Sequence, residues 1–523
     1  MRRTMWSCAA SALVLGTMAG VAAAAWGEDR ASTRSGTGAA QPVANIEQRA
    51  DDPSVHVATL DNGITLLIQP IPGATMVAIE EVHRVGLIHD PAGVAQGSHL
   101  IEHLRCMGGT DSHAPGASYA RLNTAGMANA ETMGDLTHYD LVIPPEQLDE
   151  ALAVILERHE SLAIDDAIIA QEAPRCHAEV ANVTRAMGGP GLKFAMAAAV
   201  QAWRHGLDHA SLLTGLEAWD AASAEQWMRA THQPERLTLA LVGAVDPDEI
   251  TRRAEERFGA LAALDAPNEA DPFVAIDYAS HPAEQAVTWD VDAAAVFVAY
   301  PPPADAEEQA ALTLWSLLAM QQLVADLTTR HAGDATFRPR PGDGIMNGTA
   351  YPVGDLPLYT FSSAPASPAE RRALAGFIAS RLEEIAAAPT RTAAQARGYA
   401  RTYARATEAG LDRLAFDRSV ASLTRDGNKR HAEMMVLGNT ALQTALAWHS
   451  FGPDPVARLN AIADRPPEWW ADVIQRTVNP ANRRITILAP AREGEAGDGR
   501  DAEHGAEGHD VGTPDAATPT RPR

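Results

Sequence analysis

The stretch "PERLTLALVG", residues 234–243, decides the fold because a similar stretch, "PANRRITILAP", occurs at residues 480–490. Each one starts with proline, continues through a few polar residues and ends as an apolar strand. A helix that contains tryptophan precedes each of them. The two stretches lie about 245 residues apart, which predicts two α+β halves of similar design.

The N-terminal part of the chain differs in composition from these halves. Residues 1–25 carry a positive start, "MRRT", and an apolar run that ends in small residues, as signal peptides do. An uncleaved membrane anchor is the alternative, although the run is short and rich in alanine. Residues 26–50 are polar, which predicts a disordered leader. We therefore expect an exported protein, in a bacterial periplasm or secreted.

The rest of the chain divides at "LDAPNEADP", residues 264–272, whose prolines and acidic residues indicate a linker. Residues 51–263 form the first predicted half, and residues 273–490 form the second. Residues 491–523 are rich in Gly, Asp and Glu and have no apolar periodicity, which predicts a disordered acidic tail.

The bulk composition limits the classes of partner. The chain has 523 residues, of which 67 are acidic and 42 are basic, and its formal net charge is −25. Such a surface repels phosphate backbones and anionic lipids, which argues against nucleic acid as a partner. We predict no membrane span once residues 1–25 are removed, because no later segment is long and apolar enough.

The stretch "GSHLIEHLRCMGG", residues 97–109, contains the first candidate site. His99 and His103 are four residues apart, so a helix places both imidazoles on one face, where they can bind one metal ion. Glu102 borders that face and can act as general base toward a water that zinc makes acidic. A chance occurrence is the alternative, so the motif needs a third ligand elsewhere in the chain.

The stretch "QEAPRCHAEV", residues 171–180, offers that ligand. Glu172 and Glu179 are seven residues apart, which is two helical turns. Glu179 can complete the zinc coordination, and Glu172 can lie behind it and orient a histidine. Pro174 lies inside this predicted helix, where proline is tolerated in the first turn and otherwise produces a kink.

The His-x-x-Glu-His motif, with a Glu-x6-Glu pair that ends about 75 residues later, resembles the inverzincins of the insulinase/pitrilysin (M16) family. The bacterial and mitochondrial-processing-peptidase branch is the most similar. The resemblance covers nearly all of residues 50–490 and includes "LDNGITLLIQ", "GMANAETMGDLTHYDLVIP" and "PERLTLALVGAVDPDEI". It implies two homologous α/β-sandwich halves, each with a mixed, largely antiparallel sheet packed by helices, which form a clamshell around a chamber.

The resemblance also implies a role for each candidate residue. The implied zinc ligands are His99, His103 and Glu179. Glu102 is the implied base, and Glu172 is the carboxylate behind the ligands. Asn129 falls at the family position that holds the substrate backbone. A peptide can add there as a further strand, on the exposed sheet edge near residues 126–132.

The second half departs from the family pattern, which has an arginine and, seven residues later, a tyrosine that help to stabilise the oxyanion. The stretch "LTTRHAGDATFRP" supplies Arg330, but Phe337 stands at the later position and cannot donate a hydrogen bond. Tyr351 or Tyr359 takes that place if the register differs. Two alternatives follow: a self-sufficient enzyme with altered selectivity, as a single chain or a homodimer, or the metal-bearing subunit of a heterodimer whose M16-like partner carries Arg and Tyr.

The two cysteines outside the signal peptide leave alternatives open. Cys106 lies three residues after His103, and Cys176 lies three residues before Glu179, so each borders the metal-facing side of its helix. One hypothesis is a disulfide between them, and the other is two buried thiols. A thiolate as fourth ligand is less favoured because it would close the open coordination position. His138 has no partner spacing that singles it out and is interpreted as structural.

We therefore expect an exported zinc-dependent endopeptidase that hydrolyses peptides or unfolded polypeptides inside a two-domain chamber, with Zn²⁺ as cofactor. Glu102 is the expected base, and zinc together with Arg330 is expected to stabilise the oxyanion. The competing hypothesis is a non-catalytic or partner-dependent subunit of a heteromeric complex that has the same fold.

Overall fold

The structure is a computed structural model that covers most of the chain between residues 54 and 491. The described residues are 54–92, 94–186, 189–264, 276–330, 349–353, 356–363, 367–424 and 427–491. The predicted signal peptide and leader lie outside them, as do the linker apart from residue 264 and the tail apart from residue 491. Those assignments, and the domain boundaries built on them, stay predictions.

Two six-stranded sheets form the framework of the described part. The strands are β1 (His56–Thr59), β2 (Thr65–Pro70), β3 (Val77–His83), β4 (Met127–Thr132), β5 (Thr137–Ile143), β6 (His209–Ala210), β7 (Leu237–Gly243), β8 (Glu284–Trp289), β9 (Ala294–Ala299), β10 (Thr349–Val353), β11 (Leu356–Ser363) and β12 (Arg484–Pro490). The first sheet has the order β1-β2-β7-β3-β5-β4, and the second has the order β10-β11-β9-β12-β8-β6.

Helices pack around both sheets. They are α1 (Gly97–Met107), α2 (Ala117–Ala125), α3 (Leu148–Glu160), α4 (Asp166–Ala186), α5 (Gly189–His205), α6 (Ala221–Thr231), α7 (Pro247–Phe258), α8 (Ala306–Arg330), α9 (Pro368–Ala387), α10 (Thr390–Ala409), α11 (Arg413–Leu423), α12 (Lys429–Phe451), α13 (Pro455–Asp464) and α14 (Pro467–Thr477). Pro174 lies within α4, which continues through it.

The repeated stretches form equivalent strands, β7 and β12. Strand β7 runs parallel to β2 and antiparallel to β3. Strand β12 runs parallel to β8 and antiparallel to β9. Each is therefore the third strand from one edge of its sheet, with a parallel neighbour on one side and an antiparallel neighbour on the other. The predicted fold class, a mixed α/β architecture in two similar halves, is confirmed.

Each sheet is covered partly by a helix from the other half of the chain. On the first sheet, Val142 and Val242 pack with Val436 and Leu437 of α12. On the second sheet, Phe297 packs with residues of α5, such as Trp203. Helix α12 of the second half thus covers part of the first sheet, and α5 of the first half covers part of the second sheet. Burial of these apolar faces holds the two halves together.

The helices of the described part are shorter or more polar than a bilayer-spanning helix. Within these residues, no helix combines the length and the apolar character that crossing a membrane requires.

Candidate metal centre

Helix α1 carries the histidine pair, and its first turn is fixed by buried polar groups. Asp90 accepts hydrogen bonds from the Ser98 backbone N–H and hydroxyl, both at 2.7 Å. Burial raises the pKa of Asp90 to about 7, although the hydrogen bonds from Ser98 oppose this shift. Gln96, directly before the helix, has a φ of 72°. This left-handed backbone is costly for a residue other than glycine, and it brings the Gln96 amide to the site.

The two imidazoles lie one turn apart and face a carboxylate of α4. Their ring centroids are 5.0 Å apart. Glu179 Oε1 lies 3.9 Å from His99 Nε2, and Glu179 Oε2 lies 3.7 Å from His103 Nε2. Tetrahedral zinc with bonds near 2.1 Å separates its ligand atoms by about 3.4 Å, so a small movement of Glu179 would bring the three groups around one ion.

The other ring nitrogens have partners that orient both histidines. His99 Nδ1 lies 3.0 Å from Gln96 Oε1, and His103 Nδ1 lies 3.2 Å from Glu172 Oε2. When Nδ1–H donates to these oxygens, Nε2 presents its lone pair toward Glu179. This tautomer suits a metal ligand, and such partners are usual behind metal-bound histidines. Glu172 therefore lies where the sequence placed it, whereas Gln96 was not predicted.

Glu172 is itself held by two donors. Gln171 Nε2 donates to Glu172 Oε1 at 2.8 Å, and Arg175 Nη1 donates to the same oxygen at 2.5 Å. Burial would raise the pKa of Glu172, but the hydrogen bond from His103 and these two partners lower it. The group is therefore a carboxylate at neutral pH and can accept a hydrogen bond from His103 Nδ1–H.

Glu102 lies beside the pair and is almost completely buried. The Thr132 hydroxyl of β4 donates to Glu102 Oε2 at 2.7 Å. Burial raises the pKa of Glu102, against the opposing effect of the positive charge of His103. A carboxylate with a raised pKa is a better proton acceptor, as a general base requires.

The surroundings shift the pKa values of the three proposed ligands in different directions. Burial, reinforced by the charge of His103, lowers the pKa of His99 to about 3. Burial would also lower the pKa of His103, but hydrogen bonds with Cys176, Glu172 and Glu179 raise it. The hydrogen bond with His103 lowers the pKa of Glu179 to about 2, so this carboxylate is ionised. The site therefore offers a negative oxygen donor beside two nitrogens.

The disulfide hypothesis is wrong, because Cys106 and Cys176 are both free, buried thiols. The two helices are held by side-chain packing and hydrogen bonds. Cys176 nevertheless lies near the metal-binding atoms: its Sγ and one nitrogen each of His99 and His103 are all within 4.8 Å of one another. Burial raises the pKa of Cys176, which favours the neutral thiol over the thiolate that binds zinc.

Lys193 of α5 brings a buried cation close to the site, and sequence reasoning missed it. Its Nζ lies 2.9 Å from Glu131 Oε1 on β4. At Glu102, the charge of Lys193 opposes the larger effect of burial, which raises the pKa. At Glu179, the same charge adds to the larger effect of His103, which lowers the pKa. Its neighbour Phe194 lies against the His99 ring, with centroids 5.6 Å apart. No spacing rule links Lys193 to the motif, so only the fold identifies it.

Asn129 lies on β4, the last strand of the first sheet, and pairs with Asp140 of β5. The predicted edge strand therefore exists, and it ends beside α1, where the Thr132 hydroxyl donates to Glu102. Arg330 is the last residue of α8, and its side chain lies outside the described part of the structure. Phe337 is also outside it, and the side chains of Tyr351 and Tyr359 are not described, so the second-half predictions stay predictions.

Comparisons with known proteins agree with this geometry at the level of the fold. No family model matches the chain. A curated relative, an uncharacterized zinc protease of Rickettsia bellii, is 24% identical over 209 residues, or 39% of this chain and 50% of the relative. The match thus spans about half of that relative's length.

Three solved structures share the fold. A protease from Helicobacter pylori has a TM-score of 0.56 and 17% identity, and the match covers 84% of this chain and all (100%) of that one. A putative M16-like peptidase from Alicyclobacillus acidocaldarius has a TM-score of 0.52 and 17% identity, with 84% and 98% covered. A peptidase M16 inactive domain from Pseudomonas fluorescens has 0.55 and 11%, with 84% and 98% covered. The chain has the fold of M16-like peptidases.

Proposed function

We propose that the protein is a zinc-dependent endopeptidase. The observation that carries the proposal is the arrangement of His99, His103 and Glu179. Both Nε2 atoms face the Glu179 carboxylate at less than 4 Å, while both Nδ1 atoms are occupied by oxygen acceptors. Two imidazole nitrogens and one carboxylate form a donor set that zinc uses in hydrolytic sites, with one position left for water or substrate.

The donor chemistry favours zinc at these residues. Their nitrogen and oxygen atoms suit zinc better than the all-oxygen sets that calcium and magnesium prefer. When bound, zinc would supply a Lewis acid that lowers the pKa of water and polarises a peptide carbonyl. The M16-like fold and the zinc protease relative support the same assignment.

Glu102 would move the proton in this reaction. Its buried carboxylate accepts a hydrogen bond from Thr132 and lies on the same helix face as the ligands. We propose that it accepts a proton from the attacking water and returns that proton to the leaving amine. Glu172 would keep the His103 ring in the orientation that the site requires, through the contact at 3.2 Å.

The substrate would be a peptide or an unfolded polypeptide. Strand β4 ends its sheet, so the backbone of an extended peptide could pair with that edge, with Asn129 near the substrate main chain. We propose that the two halves enclose the substrate in a chamber, and that residues 1–25 direct export to the periplasm or outside the cell. A second copy, or a different M16-like chain, could supply an Arg/Tyr pair.

A partner-dependent or non-catalytic subunit is the alternative function. A structural neighbour is described as an inactive M16 domain, so this fold also occurs without activity. The complete set of Glu102, His99, His103 and Glu179 supports the enzyme instead, because a binding subunit has no need for a buried general base.

Glu102→Gln tests the enzyme directly. The substitution keeps the shape of the side chain and removes its basicity, so zinc content should be unchanged while cleavage of an unstructured peptide falls by about 10²–10⁴-fold. Glu225→Gln, the same change at an exposed glutamate of α6, is the control for a general disturbance. Wild-type-level cleavage by Glu102→Gln would remove Glu102 as the base. An inactive but zinc-loaded wild type would favour the partner-dependent subunit.

A further inference from the structure

A second cluster of candidate ligands lies on the first sheet, apart from the histidine pair. Strand pairing places Glu80 opposite Asp140, and Val82 opposite His138. Because alternate residues of a strand share a face, Glu80, His138 and Asp140 project from the same side of the sheet. His138 Nδ1, a Glu80 oxygen and an Asp140 oxygen all lie within 4.8 Å of one another.

The contacts within this cluster leave one carboxylate oxygen without a donor. Glu80 Oε1 and Asp140 Oδ1 each lie 2.7 Å from His138 Nδ1. A ring nitrogen carries at most one proton, and the hydrogen bond from Nδ1 goes to Asp140. Glu80 Oε1 therefore has no donor of its own beyond the ring nitrogen that it shares with Asp140, although Glu80 is only 1% exposed. Two carboxylates therefore converge on a buried position that has a single donor.

A neighbouring cluster shows how such a position is closed when an arginine is present. Glu81, His83 and His159 also lie within ligand distance of one another. There the Arg105 guanidinium forms an ion pair with Glu81 and supplies the missing positive charge. Among the described residues, no arginine or lysine forms an ion pair with Glu80 or Asp140, and Lys193 pairs with Glu131 instead.

We propose that Glu80, His138 and Asp140 form a second divalent-cation site, which binds zinc through one nitrogen and two carboxylate oxygens. This donor set suits zinc or manganese, and zinc binds such sites more tightly. The cluster is distinct from the histidine pair of α1, because it lies on β3 and β5 and shares no residue with that pair.

The charges of the cluster influence one another. Burial, together with the charge of Asp140, raises the pKa of Glu80. Burial would lower the pKa of His138, but the charges of Asp140 and Glu80 raise it. A divalent cation would supply positive charge where these two carboxyl groups meet.

Metal at this site would also fix part of the proposed substrate strand. A hydrogen bond from Asn129 lowers the pKa of Asp140, after the opposing effect of burial and the larger effect of His138. A cation that immobilises Asp140 would therefore hold the Asn129 side chain on β4. This consequence rests on the proposed function, whereas metal binding itself does not.

Zinc counting on the full-length protein tests the proposal. After treatment with a chelator, reloading with zinc alone and dialysis, the zinc bound per chain is measured by elemental analysis. His138→Gln should bind one zinc ion fewer than the wild type, as should Asp140→Asn if His138→Gln does not fold. His113→Gln, which changes another carboxylate-paired histidine, should bind as much as the wild type. Equal zinc in the wild type and in both cluster variants would overturn the proposal.

A variant of the first site separates the two sites. His103→Gln removes a ligand of the first site, so after the same reloading and dialysis it should still bind one zinc ion per chain, whereas His103→Gln combined with His138→Gln should bind none. Absence of zinc from His103→Gln would contradict the second site. Loss of peptidase activity has no influence on this result, so a failure of the proposed function is distinguishable from a failure of the second site.

Discussion

Helix α1 contributes to two clusters of similar composition that have different consequences. On one side, His99 and His103 face Glu179, whose side chain is 45% exposed. On the other side, Arg105 enters a fully buried cluster around Glu81 that also contains His83 and His159. Both clusters hold histidine and glutamate within ligand distance of one another. The residue types alone therefore do not separate a metal site from a structural network.

The difference lies in the cation and in access to solvent. Burial would raise the pKa of Glu81, but Arg105 lowers it well below its ordinary value, so the pair is ionised and closed. The guanidinium would repel a metal ion and already neutralises the charge of the carboxylate. At the histidine pair, Glu179 reaches solvent and no arginine neutralises it among the described contacts. Substitutions at the histidine pair should therefore affect mainly metal binding, and substitutions in the Arg105 cluster should affect mainly stability.

The largest expected effect is loss of zinc from the first cluster. Glu179→Gln should remove one zinc per chain and lower peptide cleavage by about 10³-fold or more, since several kcal/mol of transition-state stabilisation depend on the metal. His159→Gln, in the Arg105 cluster, should keep the zinc content of the wild type. Elemental analysis and a peptide assay of the same preparations measure both effects.

Cys176→Ser is the control for the identity of the third ligand. Its thiol lies near the same nitrogens, so the structure offers it as a competitor of Glu179. We expect Cys176→Ser to retain zinc. If Cys176→Ser loses zinc while Glu179→Gln retains it, the assignment of Glu179 is wrong and the thiol is the ligand.

The second effect is on stability and comes from the Arg105 cluster. Arg105→Met leaves the Glu81 carboxylate buried without its partner, which should reduce the free energy of unfolding by about 3–5 kcal/mol. Arg175→Met removes the arginine from Glu172, but Arg175 is 53% exposed and water can replace it. That change should therefore cost about 1 kcal/mol or less.

Urea unfolding of both arginine variants against the wild type measures these differences. Similar losses of unfolding free energy in the two variants would mean that burial does not make the Arg105–Glu81 pair more important for stability than the exposed Arg175–Glu172 pair. A peptide assay adds a second contrast: Arg175→Met should lower cleavage more than Arg105→Met in the folded protein. Arg175 supports the orientation of His103 through Glu172, whereas the Arg105 guanidinium contacts Glu81, Arg158 and His159.

The smallest expected effect is the pH dependence of stability that His83 contributes. Burial, against the hydrogen bond with Glu81, lowers the pKa of His83 to about 3. Below its ordinary pKa of 6.5, the unfolded chain therefore binds a proton that the folded chain does not bind. Stability should fall as the pH decreases from about 6.5 toward 3, by up to about 1.4 kcal/mol per pH unit.

His83→Gln should remove this contribution. The free energy of unfolding of the wild type should fall more than that of His83→Gln between about pH 7 and about pH 5, with a difference of roughly 2 kcal/mol. Urea unfolding at the two pH values gives this difference, and His56→Gln, at an exposed histidine, serves as the control. Identical pH dependence in the wild type and His83→Gln would show that the buried ring is protonated in the folded chain.

Several features of the site follow from local spacing and could be predicted. His99 and His103 share a helix face because of their separation by four residues, and Glu172 precedes Glu179 by two turns on α4. The repeated strands at residues 234–243 and 480–490 predicted two similar halves, because apolar strands with the same flanking residues occupy the same place in each sheet.

Other features depend on contacts between distant parts of the chain. The sequence permitted a disulfide between Cys106 and Cys176, but helix packing leaves both as free thiols. His138 has no informative spacing of its own. Its neighbour Glu80 is 58 residues away (138 − 80) and meets it only through the pairing of β3 with β5. A single sequence does not encode such pairings as a local pattern.

The amino-acid sequence by itself determined the helix faces, the repeated strand and the order of the proposed ligands, because these depend on separations of a few residues. Tertiary structure decided which carboxylates are neutralised. Arg105 closes the cluster at Glu81, Lys193 pairs with Glu131, and Glu80 has neither. The physical reason is that charge compensation in a buried site depends on distances in space, which strand pairing and helix packing set.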